Sequence, residues 1–195
     1  NEAVTRGKNI RPAGIDFREG DVLLPRGSLL HDRALALAAG MNHPRLPVHR
    51  RPKVAILATG DELVPPGTTP GPGQIVYSNV FALAALARSE GADVIELGIA
   101  RDTLEETSGG IRRARDLGAD VLVTTGGASV GDHDLVQAAL TSEGFDMAFW
   151  KIALRPGKPM MNGRLGAMRV LGLPGNPVSS YVCAFLFLVP LIRSL

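Results

Sequence analysis

Four short stretches of this chain carry the backbone freedom and the side chains that anion chemistry needs. They are Thr59-Gly60-Asp61-Glu62-Leu63, Arg101-Asp102, Thr124-Thr125-Gly126-Gly127-Ala128-Ser129-Val130-Gly131-Asp132-His133-Asp134 and Leu173-Pro174-Gly175-Asn176-Pro177. In the third, glycines let backbone N–H groups approach an anionic ligand, and a helix starting behind them favours negative charge. Thr and Ser hydroxyls add donors. Asp132 and Asp134 would repel a bare phosphate, so they point to a bridging Mg²⁺ or to donors on the ligand. The plainer alternative is that they cap the following helix. A fifth stretch, Lys151-Ile152-Ala153-Leu154-Arg155-Pro156-Gly157-Lys158-Pro159, sets three cations on a segment stiffened by Pro and Gly. The chain has 17 Arg but 4 Lys, and two of the Lys fall here. A fixed cationic loop suits phosphate or a metal oxyanion better than a neutral substrate, against the alternative of a solvated surface loop.

Other chemistries fail on spacing. Gly127-Ala128-Ser129-Val130-Gly131 matches the nucleophile elbow of serine hydrolases, but the acid and then the histidine must follow the serine. The one histidine after Ser129 is His133, four residues on, with no room for an acid in that order. Gly71-Pro72-Gly73-Gln74-Ile75-Val76 lacks the third glycine of a dinucleotide fingerprint, and Gly157-Lys158-Pro159 is not a P-loop because Pro replaces Ser/Thr. Four scattered histidines and no His-Glu-x-x-His disfavour zinc.

The elements that position these stretches alternate. Val54–Ala58 is an apolar strand ending at Thr59-Gly60-Asp61. Asn79–Glu90 reads as a helix with apolar Phe81, Leu83, Ala84, Leu86 and Ala87, capped by Ser78 or Asn79 and ended by Gly91. Asp93–Ile99 is a second strand. Thr103 caps a helix to Leu117, with Glu106 at the capping-box position. Asp120–Thr125 is a strand, Asp134–Ser142 a helix, and Met147–Ile152 and Met168–Leu173 are further strands. Pro177 opens the last helix, where a missing N–H costs least. Repeated strand–helix units imply a largely parallel sheet with helices on both faces. Right-handed crossovers bring the post-strand loops to one sheet edge, where open sheets bind ligands. Before Arg50-Arg51-Pro52, a short strand is expected at Asp21–Leu24, between Gly20 and Pro25-Arg26-Gly27, and a short helix at Leu30–Ala39, stopped by Gly40.

Composition bounds the rest. At 195 residues, with 45% apolar and 21% charged residues, the chain suits one large domain with a small appendage. The net charge of +2 divides unevenly: residues 1–50 carry 8 Lys/Arg against 5 Asp/Glu, and the rest carries 13 against 14. No dense basic stripe with interleaved aromatics is present, which disfavours a nucleic-acid partner. The apolar run Tyr181–Ile192 reads as a buried helix, too short to span a bilayer and broken by Pro190. The single cysteine, Cys183, fits a reducing compartment. The first residue is Asn1 and the chain stops after an apolar helix, so further residues are expected at one or both ends.

Taken together, these motifs resemble the molybdopterin molybdenumtransferases, the MoeA and gephyrin E-domain family. The resemblance is carried by Gly7-Lys8-Asn9-Ile10-Arg11, Thr59–Leu63, Gly98-Ile99-Ala100-Arg101-Asp102, Gly126–Asp134, Phe149–Pro159 and Gly172–Ser179. It implies a three-layer α/β/α molybdopterin-binding domain over 51–195, with 1–50 the returning part of a β-rich N-terminal region. By the resemblance, the family's earlier N-terminal portion and C-terminal β-domain are expected to be absent from this chain. The implied activity inserts molybdate into adenylylated molybdopterin and releases AMP, with Mg²⁺ assisting, in a cytoplasmic homodimer without membrane or nucleic-acid partners. An adenylyltransferase of the MogA kind and a non-enzymatic scaffold are the alternatives.

By the same resemblance Gly126, Gly127, Ser129 and Gly131 would hold the pterin and its phosphate, with Thr59 and Gly60 beside them. Glu62, Asp102 and Asp134 would orient the ligand and the metal ion. Lys151, Arg155 and Lys158, next to Pro159, would hold phosphate and molybdate. Gly175, Asn176 and Pro177 would complete the floor. Position 155 is Arg where many relatives have Lys, which turns a point charge into a planar fork.

Overall fold

The computed structural model describes residues 3–126 and 135–195, in two units, Asn1–His49 and Arg50–Leu195. The described residues of the first unit contain one helix, α1 (Asp32–Gly40), capped by His31 Nδ1, which accepts from the Ala34 N–H at 3.3 Å. Gly40 does not stop this helix but is its last residue, and Met41 caps it by donating to Leu37 O at 2.9 Å. The strand expected at Asp21–Leu24 is not formed, and the described residues of this unit contain no strand, so the expected β-rich character is not found among them. Asp21 closes a turn instead. Arg18 N–H donates to its carboxylate at 2.7 Å, and Asp21 N–H donates to Arg18 O at 3.1 Å. A strand with no neighbour leaves its ladder groups unpaired, so within these residues the local Asp turn prevails.

In the second unit the alternation of strand and helix is realised. Strands β1 (Lys53–Thr59), β4 (Asp93–Ala100), β5 (Val121–Thr125), β6 (Asp146–Trp150), β7 (Met161–Leu165) and β8 (Met168–Leu173) form one sheet in the order β4-β1-β5-β8-β7-β6. The two-residue strands β2 (Leu63–Val64) and β3 (Ile75–Val76) pair apart from it. The first four strands of that order run parallel, whereas β7 is antiparallel to both β8 and β6.

Residues of β1 alternate between two buried faces, as a central parallel strand requires. Val54, Ile56 and Ala58 pack with α2 (Asn79–Ser89) and the C-terminal helix. Ala55 and Leu57 pack with α3 (Leu104–Asp116) and α4 (Leu135–Ser142). The result is the expected three-layer α/β/α arrangement.

The capping box at α3 is half made: Thr103 Oγ1 accepts from Glu106 N–H at 3.2 Å, but the Glu106 carboxylate accepts from Arg101 N–H at 2.8 Å, tying α3 to the loop after β4. Strand β7 was not expected; Met161, Gly163 and Leu165 alternate inward, and the glycine disguises the period. Pro190 does not break the last helix. Pro177–Cys183 (α5) runs through a π-turn at Ala184–Leu188 into Val189–Ser194 (α6), with Val189 N–H donating to Ala184 O. The wider turn accommodates a residue with no N–H and a ring aimed at the preceding turn. By length and composition the 18 residues Pro177–Ser194 could cross a membrane. Their inner stripe of Ser180, Cys183, Ala184, Leu188, Val189 and Ile192 is buried, and most of it packs against the sheet.

Candidate functional site

Strand register decides which loops meet. Gly98 pairs with Leu57, Leu57 with Thr124, Thr124 with Gly172, Gly172 with Met161, and Met161 with Trp150. This row crosses all six strands at one level. Because β7 reverses direction twice over, β6 again runs parallel to β8. The segments after β1, β4, β5, β6 and β8 therefore leave the sheet at the same carboxyl edge. All five stretches singled out in the sequence begin there.

At the centre of the edge, Gly126 follows β5 with φ of +93°, and a Cβ on it would collide with the carbonyl oxygen of Thr59. Thr59 is buried, and its Oγ1 has no hydrogen-bond partner among the described residues. A buried, unpaired hydroxyl is costly, and here it borders the start of the glycine stretch. Across the next strand, a Cβ on Gly175 would stand 3.6 Å from Gly126 Cα, so the two backbones lie side by side. Asn176 Oδ1 accepts from the N–H groups of Val178 at 3.1 Å and Ser179 at 3.3 Å, opening α5 with Pro177 in its first turn. Gly127, Ser129, Gly131, Asp132 and Asp134 lie outside the described residues.

On the acidic side of the edge, where Glu62, Asp102 and Asp134 are the expected set, Asp102 meets Asp61. Asp61 and Asp102 exchange bonds: Asp61 N–H donates to Asp102 Oδ2 at 3.3 Å and Asp102 N–H donates to Asp61 Oδ1 at 3.2 Å. Arg101 adds a bond to Asp61 O at 3.3 Å. Glu62 instead folds its carboxylate back over Gly60, into the space where a Cβ would stand. Asp61, the first acid of the same Thr-Gly-Asp-Glu run, carries no sequence signal that sets it apart from Glu62. Among the described residues no group of three metal-ligating side chains comes together.

The cationic loop joins β6 to β7. Lys151 N–H donates to Met160 O at 2.9 Å and Ile152 N–H to Lys158 O at 2.9 Å, which holds the loop as a closed hairpin end. Lys151 has φ of +67° and rests its Nζ 4.0 Å above the Trp150 ring. Arg155 and Lys158 are exposed and form no ion pair among the described residues, while Pro159 is half-buried between them and the buried Met160. Of the three cations, these two are available to an anion. A separate depression of about 250 Å³, lined by Asp146, Ala148, Asn162, Gly163, Arg164 and Arg169, lies on the β6–β7–β8 face toward the other end of β6 and β8.

Residues 55–194 match the model of the probable molybdopterin binding domain family. The chain is 39% identical over 188 residues to the molybdopterin molybdenumtransferase of Haemophilus influenzae, which covers 96% of this chain and 46% of that protein. It is also 39% identical over 192 residues to the protein of the same name in a Nostoc species, covering 97% and 44%. The crystal structure of a molybdopterin biosynthesis MoeA protein from Pyrococcus horikosii superposes with a TM-score of 0.80 at 35% identity, over 93% of this chain and 44% of that one. The chain thus spans about half the length of the curated relatives it matches.

Proposed function

The chain belongs to the molybdopterin-binding domain family matched over residues 55–194, and from that premise we propose that it is the pterin-binding part of an enzyme that inserts molybdate into adenylylated molybdopterin and releases AMP. The observation that supports this most is the register row. It brings the start of the glycine stretch, an acid pair and a cationic loop to one sheet edge. In this reading the Gly126–Gly175 floor receives the pterin, with the stretch beyond Gly126 as its phosphate cradle. Arg155 and Lys158 hold molybdate while the two dithiolene sulfurs bond to molybdenum and displace an oxygen ligand, which leaves as water carrying the two thiol protons. The cations neutralise the oxyanion, and at the same edge water cleaves the phosphoanhydride, giving AMP and leaving the pterin its own phosphate.

The donor chemistry at Asp61 and Asp102 fits Mg²⁺. Each carboxylate engages one oxygen with a backbone N–H and keeps another, and Mg²⁺ is commonly held by one or two carboxylates plus substrate phosphates. When bound there, Mg²⁺ supplies charge neutralisation at the phosphoanhydride. Glu62 and Asp134 remain part of the proposed acidic set.

The whole protein acts in this reading as a cytoplasmic homodimer. Val178, Tyr181 and Phe185 leave an apolar stripe exposed on the last helix, which a second subunit would cover. Sedimentation of the full-length protein checks this, and a monomer at high concentration contradicts it.

The activity is tested by incubating full-length protein with adenylylated molybdopterin, then adding molybdate. Molybdate-dependent AMP release is expected. ATP-dependent adenylation of molybdopterin instead would identify a pterin adenylyltransferase, and pterin binding with neither reaction would identify a scaffold.

A further inference from the structure

By sequence Asn79 is a candidate helix cap. It does something else. Its side-chain Nδ2 donates to Gly175 O at 2.7 Å, across 96 residues of chain. Ser78, the actual N-cap of α2, makes no side-chain capping bond. Asn79 is half-buried, while the bond itself lies exposed at the surface of the edge.

The bond acts on the floor of the site. Gly175 lies against Gly126, and the next residue, Asn176, caps α5. With no side chain to anchor it, Gly175 has wide conformational freedom, and the Asn79 amide supplies the missing anchor. The segments after β5 and β8 and the first residue of α2 are thereby fixed to one another. We infer that Asn79 is a positioning residue, which by holding the Gly175 carbonyl sets the Gly126–Gly175 floor in its pterin-accepting geometry. The inference rests on the proposed pterin-binding reading for its ligand, but its conformational part stands alone.

Two measurements on full-length protein test it. The first is amide hydrogen exchange in the ligand-free protein. In Asn79→Ala, exchange in peptides covering 174–178 and 126 should rise several-fold, and Asn79→Gln, which keeps an amide donor, should restore part of the protection. Unchanged exchange in Asn79→Ala overturns the positioning role whatever the ligand. The second compares affinities. Loss of one neutral hydrogen bond should weaken adenylylated molybdopterin about 3- to 10-fold in Asn79→Ala, with molybdate affinity and thermal midpoint little changed. Asn79→Asp should weaken it more, since a carboxylate then faces a carbonyl oxygen. Parallel loss of both ligands and of thermal stability would make Asn79 merely structural and overturn the inference. Wild-type protein that binds no molybdopterin would sink the functional reading, and the exchange result would still decide the role of Asn79.

Discussion

Cys183 Sγ on α5 lies 3.8 Å from Gly157 O and donates to it, joining the last helix to the cationic loop inside the core. Both residues are buried, and burial pushes the Cys183 thiol above its ordinary pKa, so it stays a neutral donor. Gly157 has φ of +120°, and a Cβ there would collide with Cys183 Sγ and crowd Leu154. Gly157→Ala should therefore lower stability by about 1–3 kcal/mol from overpacking, a fall of several degrees in thermal midpoint. It should also weaken molybdate more than the pterin, because Arg155 and Lys158 ride on the same loop. An unchanged midpoint would show that the loop yields freely.

Lys158→Ala removes one charge-assisted contact from the proposed oxyanion site. At about 1.5–3 kcal/mol for such a contact, molybdate affinity should fall roughly 10- to 150-fold, with pterin affinity much less affected. Lys151→Ala should cost less, because Lys151 Nζ is engaged with the Trp150 ring. Equilibrium dialysis with molybdate measures both. A larger loss for Lys151 would reverse their assigned roles.

Much of the fold was legible because the runs at Val54–Ala58 and Val121–Thr125 are buried on both faces and bounded by turn residues. The loops at the carboxyl edge followed from strand–helix alternation. What was not legible depends on long-range pairing. Gly163 reads locally as a turn, yet β7 exists because it pairs on both sides. Pro190 reads as a break, yet a π-turn absorbs it. Asn79 and Asp61 acquire their roles only from partners 96 and 41 residues away.

Asp61→Asn and Asp102→Asn should each raise the Mg²⁺ concentration needed for half-maximal AMP release, since each removes a hard carboxylate oxygen. The amide keeps an acceptor for the partner's N–H, so the fold should persist with little change in thermal midpoint. Unaltered Mg²⁺ dependence in both variants would remove this pair from the metal site.

Arg50 and Asp120 form a two-pronged ion pair, with both N···O distances 2.6 Å, and Lys53 N–H donates to the same carboxylate at 2.8 Å. The Arg50 guanidinium bond is the main force holding the Asp120 carboxyl below its usual pKa, reinforced by Lys53 N–H and opposed by partial burial. A depressed folded pKa stabilises the fold above the unfolded value of about 3.9, and that contribution is lost as pH falls through the folded value. Asp120→Asn should flatten the loss of stability below about pH 4 relative to wild type. Identical acid denaturation curves would show that the pair contributes nothing measurable.

The central claim is that one sheet edge takes both the pterin and the oxyanion, and a crystal structure of the full-length protein with molybdopterin and tungstate tests it most directly. Tungstate, as a heavy stand-in for molybdate, should give an anomalous peak beside Arg155 and Lys158, with pterin density over the Gly126–Gly175 floor. A peak instead in the Arg164–Arg169 depression, or pterin density away from the carboxyl edge, would contradict the account.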